Sequence, residues 1–316
     1  MKGFPLLCLP NVALQEVLST MNPLELVFLS KTSLKAQKVA KFFSKQKPIS
    51  QYSIILDFEN PSLQIDGTTT KCLYDISNLK YMEGYLNNDD EYYVKYSKNH
   101  ITALMEFARY VIEVFGWPVR QVQLNFGKFR NKNNSITDFL KIHVKNTDFC
   151  ILDGDIIADR YASYFFKNFQ VTVGIVLLSK MSANFRLILP QHIHYLDIQE
   201  SDYITYDQIN NFNFDVLKLC KTKITNQELN LFFKNWMASK SHINLRSFLI
   251  SIENLEAFDT IADLPDVIKG DPKTVRILHR EQVVGGCDIK RNDGTVATLY
   301  TKSGEDGNVD LILIVH

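Results

Sequence analysis

Apolar residues near the start of the chain recur with the spacing of an α-helix. Four of them lie at i, i+3, i+4 and i+7, so they share one face of a predicted helix from about Asn11 to Met21. These four residues are Leu14, Val17, Leu18 and Met21. The chain therefore opens on an amphipathic helix.

A second predicted helix begins at Pro23. Asn22 precedes it as a capping residue, and Glu25 lies at its third position, where a carboxylate favours the helix dipole. The helix is apolar nearly all the way round, through Leu24, Leu26, Val27, Phe28 and Leu29. Because one neighbour cannot cover such a helix, either a partner protein or the rest of this chain must cover its second side.

A third helix is predicted from about Leu34 to Ser44, with apolar residues on one side and lysines on the other. The apolar residues are Val39, Phe42 and Phe43, and the lysines are Lys35, Lys38, Lys41 and Lys45. Lysines on one side of a short helix are typical of a solvated face, which is favoured here over a nucleic-acid patch.

Pro48 ends the helical part, and the apolar run at Ile54 begins a strand, so a boundary is predicted between residues 47 and 51. Further strands are predicted at Val122–Phe126, Cys150–Leu152, Val171–Leu177, Ile193–Ile198, Val216–Cys220 and Leu245–Ile250. Their spacing of about 20 to 30 residues lies in the range of leucine-rich repeats. A curved, largely parallel array of strands and helices is expected.

Two helices between these strands have clear signals. The first has an apolar face that ends at Phe115 and is closed by Gly116. The second begins with a capping box from Thr225 to Glu228, and its buried face continues to Trp236. A core position is favoured for Trp236 over a binding role.

The last part of the chain is predicted to be an antiparallel sheet. Its strands are expected at Val275–Gln282, Cys287–Arg291, Thr295–Thr301 and Val309–Val315, with a hairpin turn at Asn292-Asp293-Gly294. The sequence thus predicts a mixed α/β fold: a three-helix unit at 4–47, then a domain at 50–316 with a leucine-rich-repeat-like strand-helix array and a C-terminal antiparallel hairpin sheet.

Charge and cysteine content narrow the functional classes. Lysine plus arginine equals aspartate plus glutamate at 35 each, so no net field attracts nucleic acid. Five widely spaced cysteines without a C-x-x-C pair predict buried thiols in a reducing compartment. Pro10 and Asn11 interrupt a faint signal-peptide pattern, and no apolar run is long enough to span a bilayer. A cytoplasmic or nuclear protein without membrane contact is expected.

Motifs for catalysis, metals or cofactors lack the partners that they need. His192-x-His194 has no third ligand nearby in sequence, Asp153-Gly154-Asp155 lacks the closing glutamate of a calcium loop, and Gly285-Gly286 lacks the lysine of a phosphate loop. Structural histidines, a turn and a strand connection are the favoured interpretations. The sequence predicts neither a metal, a cofactor nor catalytic activity.

The N-terminal helices resemble an F-box. The resemblance lies in a Leu-Pro start, a Val-Leu pair, a Pro-x-x-Leu and a Leu-Ser-Lys ending, carried by Leu9-Pro10, Val17-Leu18, Pro23 to Leu26 and Leu29 to Lys31. Phe42-Phe43 replaces a tryptophan that many F-boxes have in the third helix. The family implies insertion into the small adaptor subunit of SCF ligases. By position, the implied contacts are Leu9, Pro10, Leu14, Val17, Leu18, Pro23 and Leu26.

Two later segments resemble the type 2 F-box-associated domain of a large nematode family. One runs from Val216 through Ile224 and Trp236 to Leu245, and the other is the Ile289–Ala297 hairpin. The family implies a domain that captures protein substrates, with the F-box linking them through the adaptor to cullin.

Three functions follow as hypotheses. The first is a non-catalytic substrate-recognition subunit of an SCF-type cullin-RING ubiquitin ligase, with an unknown protein substrate. The second is a protein-binding scaffold outside any ligase, whose N-terminal helices pack on the chain's own array. The third is an enzyme of unknown type, which would need a polar cleft with acids or histidines placed together.

Overall fold

The computed structural model describes residues 5–46, 52–85, 91–189, 193–271, 275–278, 281–304 and 308–316. The chain forms two compact units. The first unit contains Met1–Ile151 and Tyr164–Gln170, and the second contains Leu152–Ser163 and Val171–His316. The N-terminal helices thus share a unit with the strands that follow them, and the division into 4–47 and 50–316 stays a prediction.

The first unit begins with a 3-10 turn and three helices. The turn is Leu6–Cys8, and the helices are α1 (Asn11–Thr20), α2 (Pro23–Ser30) and α3 (Leu34–Gln46). Asn22 and Glu25 close the capping box of α2 reciprocally, with each side chain bonded to the other residue's amide at 2.9 and 2.8 Å. The predicted helices are confirmed.

A mixed sheet follows in the first unit. Its strands are β1 (Ser53–Asp57), β2 (Ser62–Asp66), β3 (Lys71–Ser77), β4 (Gly84–Tyr85), β5 (Tyr92–Tyr96), β6 (Val119–Asn125) and β7 (Asn146–Asp153), the last of which ends in the second unit. The order is β7-β6-β1-β2-β3-β5-β4. β1, β2 and β3 pair antiparallel, whereas β1 with β6 and β3 with β5 pair parallel. The expected parallel array therefore begins with an antiparallel meander, because short turns join β1 to β2 and β2 to β3.

Helices lie between the later strands of this sheet, and the first of them is the longest. α4 (His100–Phe115) buries its apolar face and is followed by Gly116, whose φ of 70° favours a residue without a Cβ. A short helix, α5 (Asn133–Phe139), runs into a π-helical turn at Leu140–Val144. α6 (Asp159–Asn168) contributes to both units.

The second unit contains the parallel part that the spacing predicted. Strands β8 (Gln170–Leu177), β9 (Tyr195–Ile198), β10 (Val216–Leu219) and β11 (Ser247–Ile252) pair parallel in chain order. Its helices are α7 (Tyr206–Asn210), α8 (Asn226–Met237) and α9 (Glu256–Ile261).

The C-terminal strands close this sheet antiparallel, as predicted. They are β12 (Ile268–Lys269), β15 (Cys287–Lys290), β16 (Val296–Ser303) and β17 (Val309–Val315), and β17 pairs with β11. The predicted strand at 275–282 forms a separate hairpin instead, β13 (Val275–Leu278) with β14 (Glu281–Val284). Val283 of this hairpin packs on Tyr300, Ile312 and Ile314 of the sheet. Within the described residues, no helix combines the length and apolar character that crossing a bilayer requires.

Candidate functional site

α1 and α3 border a shallow apolar groove of about 520 Å³. It is lined by Asn11, Leu14, Gln15, Leu18, Lys38, Val39, Phe42 and Phe43. Phe43 is buried, whereas its neighbour Phe42 is 65% exposed, because successive residues on a helix point about 100° apart. The exposed ring and the groove together form an apolar surface on this side of the helices.

The seven residues predicted to contact the adaptor have different surroundings. Pro10 is exposed, and Leu9 and Val17 are half-buried. Leu14 and Leu18 are buried at the lining of the groove. Pro23 and Leu26 are buried in α2. Only part of the set is thus accessible on the surface of the folded chain, and the contact itself stays a prediction.

Val39 and Phe42 line the groove but are not among the seven contacts that the family resemblance implies. Both residues lie on the predicted apolar side of the third helix, which is the local signal for them. Ala36, Ala40, Phe43 and Ser44 are buried in α3, whereas Phe42 is exposed and Val39 is half-buried. The spacing of apolar residues does not tell which of two adjacent phenylalanines faces the core.

The second side of α2 is covered by the chain itself. Leu24 and Val27 have no exposed surface, and the Phe28 ring lies 4.8 Å from that of Tyr93, centroid to centroid. Two further tyrosines contact Phe28, namely Tyr74 and Tyr85. The alternative in which the rest of the chain covers this helix therefore describes α2, whereas a groove between α1 and α3 is open.

Polar groups also join the end of α2 to the rest of the first unit. The hydroxyl groups of Ser30 and Tyr110 are hydrogen-bonded at 2.8 Å, which joins the end of α2 to α4. The Lys31 ammonium lies 5.3 Å from the ring centroids of both Phe107 and Tyr110. Burial, and secondarily the charge of Lys95, lowers the pKa of Lys31. The Leu-Ser-Lys ending thus anchors the helices to their own unit.

In the second unit, α8 and the final hairpin meet around Trp236. Trp236 is fully buried, so its predicted core position is confirmed, and the Arg291 guanidinium lies 5.1 Å from its ring centroid. Arg291 donates to the carbonyl of Ile243 at 2.8 Å and to the hydroxyl of Thr295 at 3.1 Å. Next to it, the amide of Asn292 donates to the carbonyl of Met237 at 2.8 Å.

This arrangement connects the two sequence segments that resemble one family. The predicted capping box of α8 is present, with Thr225 and Glu228 bonded reciprocally. Gly294 supplies the φ of 94° at the hairpin turn after Asn292. Both segments therefore have structural roles in this unit: α8 builds the core, and the hairpin holds Arg291 over Trp236.

Family models match the chain in two places. A model described as F-box domain matches residues 6–45, and a model described as F-box associated matches residues 184–250. The chain has an F-box and an F-box-associated domain. Comparison with curated proteins and with solved structures found no significant match.

The F-box match lies within the predicted 4–47 and covers α1, α2 and nearly all of α3. The F-box-associated match includes β9, β10, α8 and most of β11, and it ends before the Ile289–Ala297 hairpin. The nematode origin of the type stays a prediction. F-box domains generally bind the SCF adaptor subunit, and proteins with both domains are typically non-catalytic adaptors.

Residues of the histidine pair, the aspartate loop and the glycine pair contact or connect other parts of this chain. His192 lies outside the described residues, and His194 Nδ1 is 3.5 Å from a carboxylate oxygen of Asp215. The amide of Gly154 donates to the carboxylate of Asp153, and Gly285 and Gly286 connect β14 to β15 with positive φ. Among the described residues, no group of three or more potential ligands could hold a metal ion.

The cysteines are free thiols, and three of them are buried as predicted: Cys72, Cys150 and Cys287. Cys8 is exposed and Cys220 is half-buried, so the expectation of burial was wrong for these two. Burial raises the pKa of the Cys220 thiol and, to about 11, that of Cys287. A raised pKa lowers the thiolate fraction, which disfavours nucleophilic roles for both residues.

Proposed function

We propose that this chain is the substrate-recognition subunit of an SCF-type cullin-RING ubiquitin ligase. Its F-box would bind the small adaptor subunit and reach cullin through it, and its F-box-associated domain would hold a protein substrate whose identity is open. In this role the chain performs no catalysis, uses no cofactor or metal, and contacts neither nucleic acid nor membrane. It would act in the cytoplasm or nucleus.

One observation carries the proposal: the groove between α1 and α3 stays open with Phe42 at its edge, although the chain covers the second side of α2. A groove with apolar lining and an exposed aromatic ring at its edge supports binding of a protein partner. The F-box match covers these helices, which supports the adaptor as that partner.

The alternative is a binding scaffold outside any ligase. It is favoured by the packing of α2 on the chain's own aromatic residues, because that packing meets the helix's need for a second neighbour without a partner. The two functions differ at the groove, since only the ligase subunit requires it to be occupied.

The test uses the full chain, co-expressed with the SCF adaptor and separated by size-exclusion chromatography. Phe42→Asp places a charge at the groove, and Leu231→Asp is a matched control because Leu231 is also an exposed apolar residue inside a helix. We expect wild type and L231D to elute with the adaptor and folded F42D to elute alone. A folded wild-type chain that elutes without the adaptor would overturn the ligase proposal in favour of the scaffold.

A further inference from the structure

A row of lysines borders the apolar groove. α3 carries Lys35, Lys38, Lys41 and Lys45 and no acidic residue. Lys38 is itself part of the groove lining. Since residues three and four apart are neighbours on a helix, the exposed ring of Phe42 lies between Lys38 and Lys45. The apolar surface thus has a basic rim.

The charge of this rim is not neutralised locally. Residues 6–45 contain five lysines and two glutamates, and Glu25 is engaged in the capping box of α2. In the described part of the chain, none of Lys38, Lys41 and Lys45 forms an ion pair with a carboxylate.

Three lysines in the second unit have carboxylate partners. Lys221 pairs with Glu200, Lys223 with Asp202 at 3.1 Å, and Lys218 lies 3.8 Å from Asp197. The chain as a whole has no net charge. The cluster of lysines on α3 is therefore a local concentration of positive charge and does not reflect a generally basic protein.

We infer that the lysine row selects an acidic partner surface, in which an apolar segment enters the groove and aspartate or glutamate side chains face Lys38, Lys41 and Lys45. The inference rests on the proposed function, so the occupant is an acidic segment of the SCF adaptor. Complementary charge at the edge of an interface mainly raises the association rate and is screened by salt.

The experiment measures association and dissociation rates of the full chain with the purified adaptor at about 50 and about 300 mM NaCl. The variant is Lys38→Glu, Lys41→Glu and Lys45→Glu together. Its matched control is Lys234→Glu, Lys240→Glu and Lys290→Glu, which changes net charge equally at exposed positions of the second unit. Circular dichroism and the unfolding midpoint check that each variant is folded.

We expect the association rate of wild type to fall with salt, and the α3 variant at low salt to associate on the order of tenfold more slowly, with a nearly unchanged dissociation rate. The control variant should associate like wild type. An α3 variant with the wild-type rate, or a control that slows equally, would overturn the charge inference while leaving adaptor binding intact. No binding by wild type at either salt concentration would overturn the proposed function, and the inference with it.

Discussion

The F-box helices have two apolar sides with different surroundings. On one side, α2 packs against tyrosines of the same unit, and Leu24 and Val27 are fully buried. On the other side, α1 and α3 leave a groove with Phe42 exposed at its edge. The most apolar helix of a unit thus need not present an open apolar surface, because the fold can cover that helix itself.

The largest expected effect lies on the covered side. Leu24→Ala should lower the free energy of unfolding by about 2 to 5 kcal/mol, because it leaves a cavity among fully buried groups. Leu34→Ala is the matched control, since Leu34 is 78% exposed and its truncation should cost under about 0.5 kcal/mol. Urea unfolding of both variants measures the comparison. Equal losses would contradict the burial of Leu24 and the exposure of Leu34.

A second, smaller effect tests the aromatic contact itself. Phe28→Ala and Tyr93→Ala, singly and together, should give a coupling free energy of about 0.5 to 1.5 kcal/mol, because the rings meet at 4.8 Å with an interplanar angle of 62°. A second cycle combines Phe28→Ala with Phe42→Ala, between which no ring contact exists among the described residues. That cycle should be additive within about 0.5 kcal/mol. Coupling in the second cycle alone would contradict the assignment of Phe28 to the covered side.

The sequence predicted the elements of this region because their signals are local. The capping box at Asn22, the apolar spacing of α1 and the Gly116 terminus each depend on residues within one or two turns. The same holds for the capping box at Thr225 and the core position of Trp236. Such signals depend on neighbouring residues in the sequence and not on which elements pack together.

The sequence could not predict what covers α2. Tyr74 and Tyr93 lie on strands far along the chain, and their contact with Phe28 follows from the pairing of β3 with β5, which no local pattern encodes. The family pattern implies that Pro23 and Leu26 contact the adaptor, and the structure buries both in α2, so this contact stays a prediction. Position in a motif identifies a helix, whereas its accessible side depends on long-range packing.

The smallest expected effect on stability lies at the groove between α1 and α3. Phe42→Ala should change the free energy of unfolding by less than about 0.5 kcal/mol, because a ring that is 65% exposed loses little buried area on truncation. The same substitution should weaken adaptor binding, since truncating an aromatic side chain at an interface typically costs more than 1 kcal/mol where that residue is a hot spot. Urea unfolding and a binding titration measure the two quantities on one sample. A loss of unfolding free energy above about 1 kcal/mol would mean that Phe42 belongs to the core and that the groove is not a free surface.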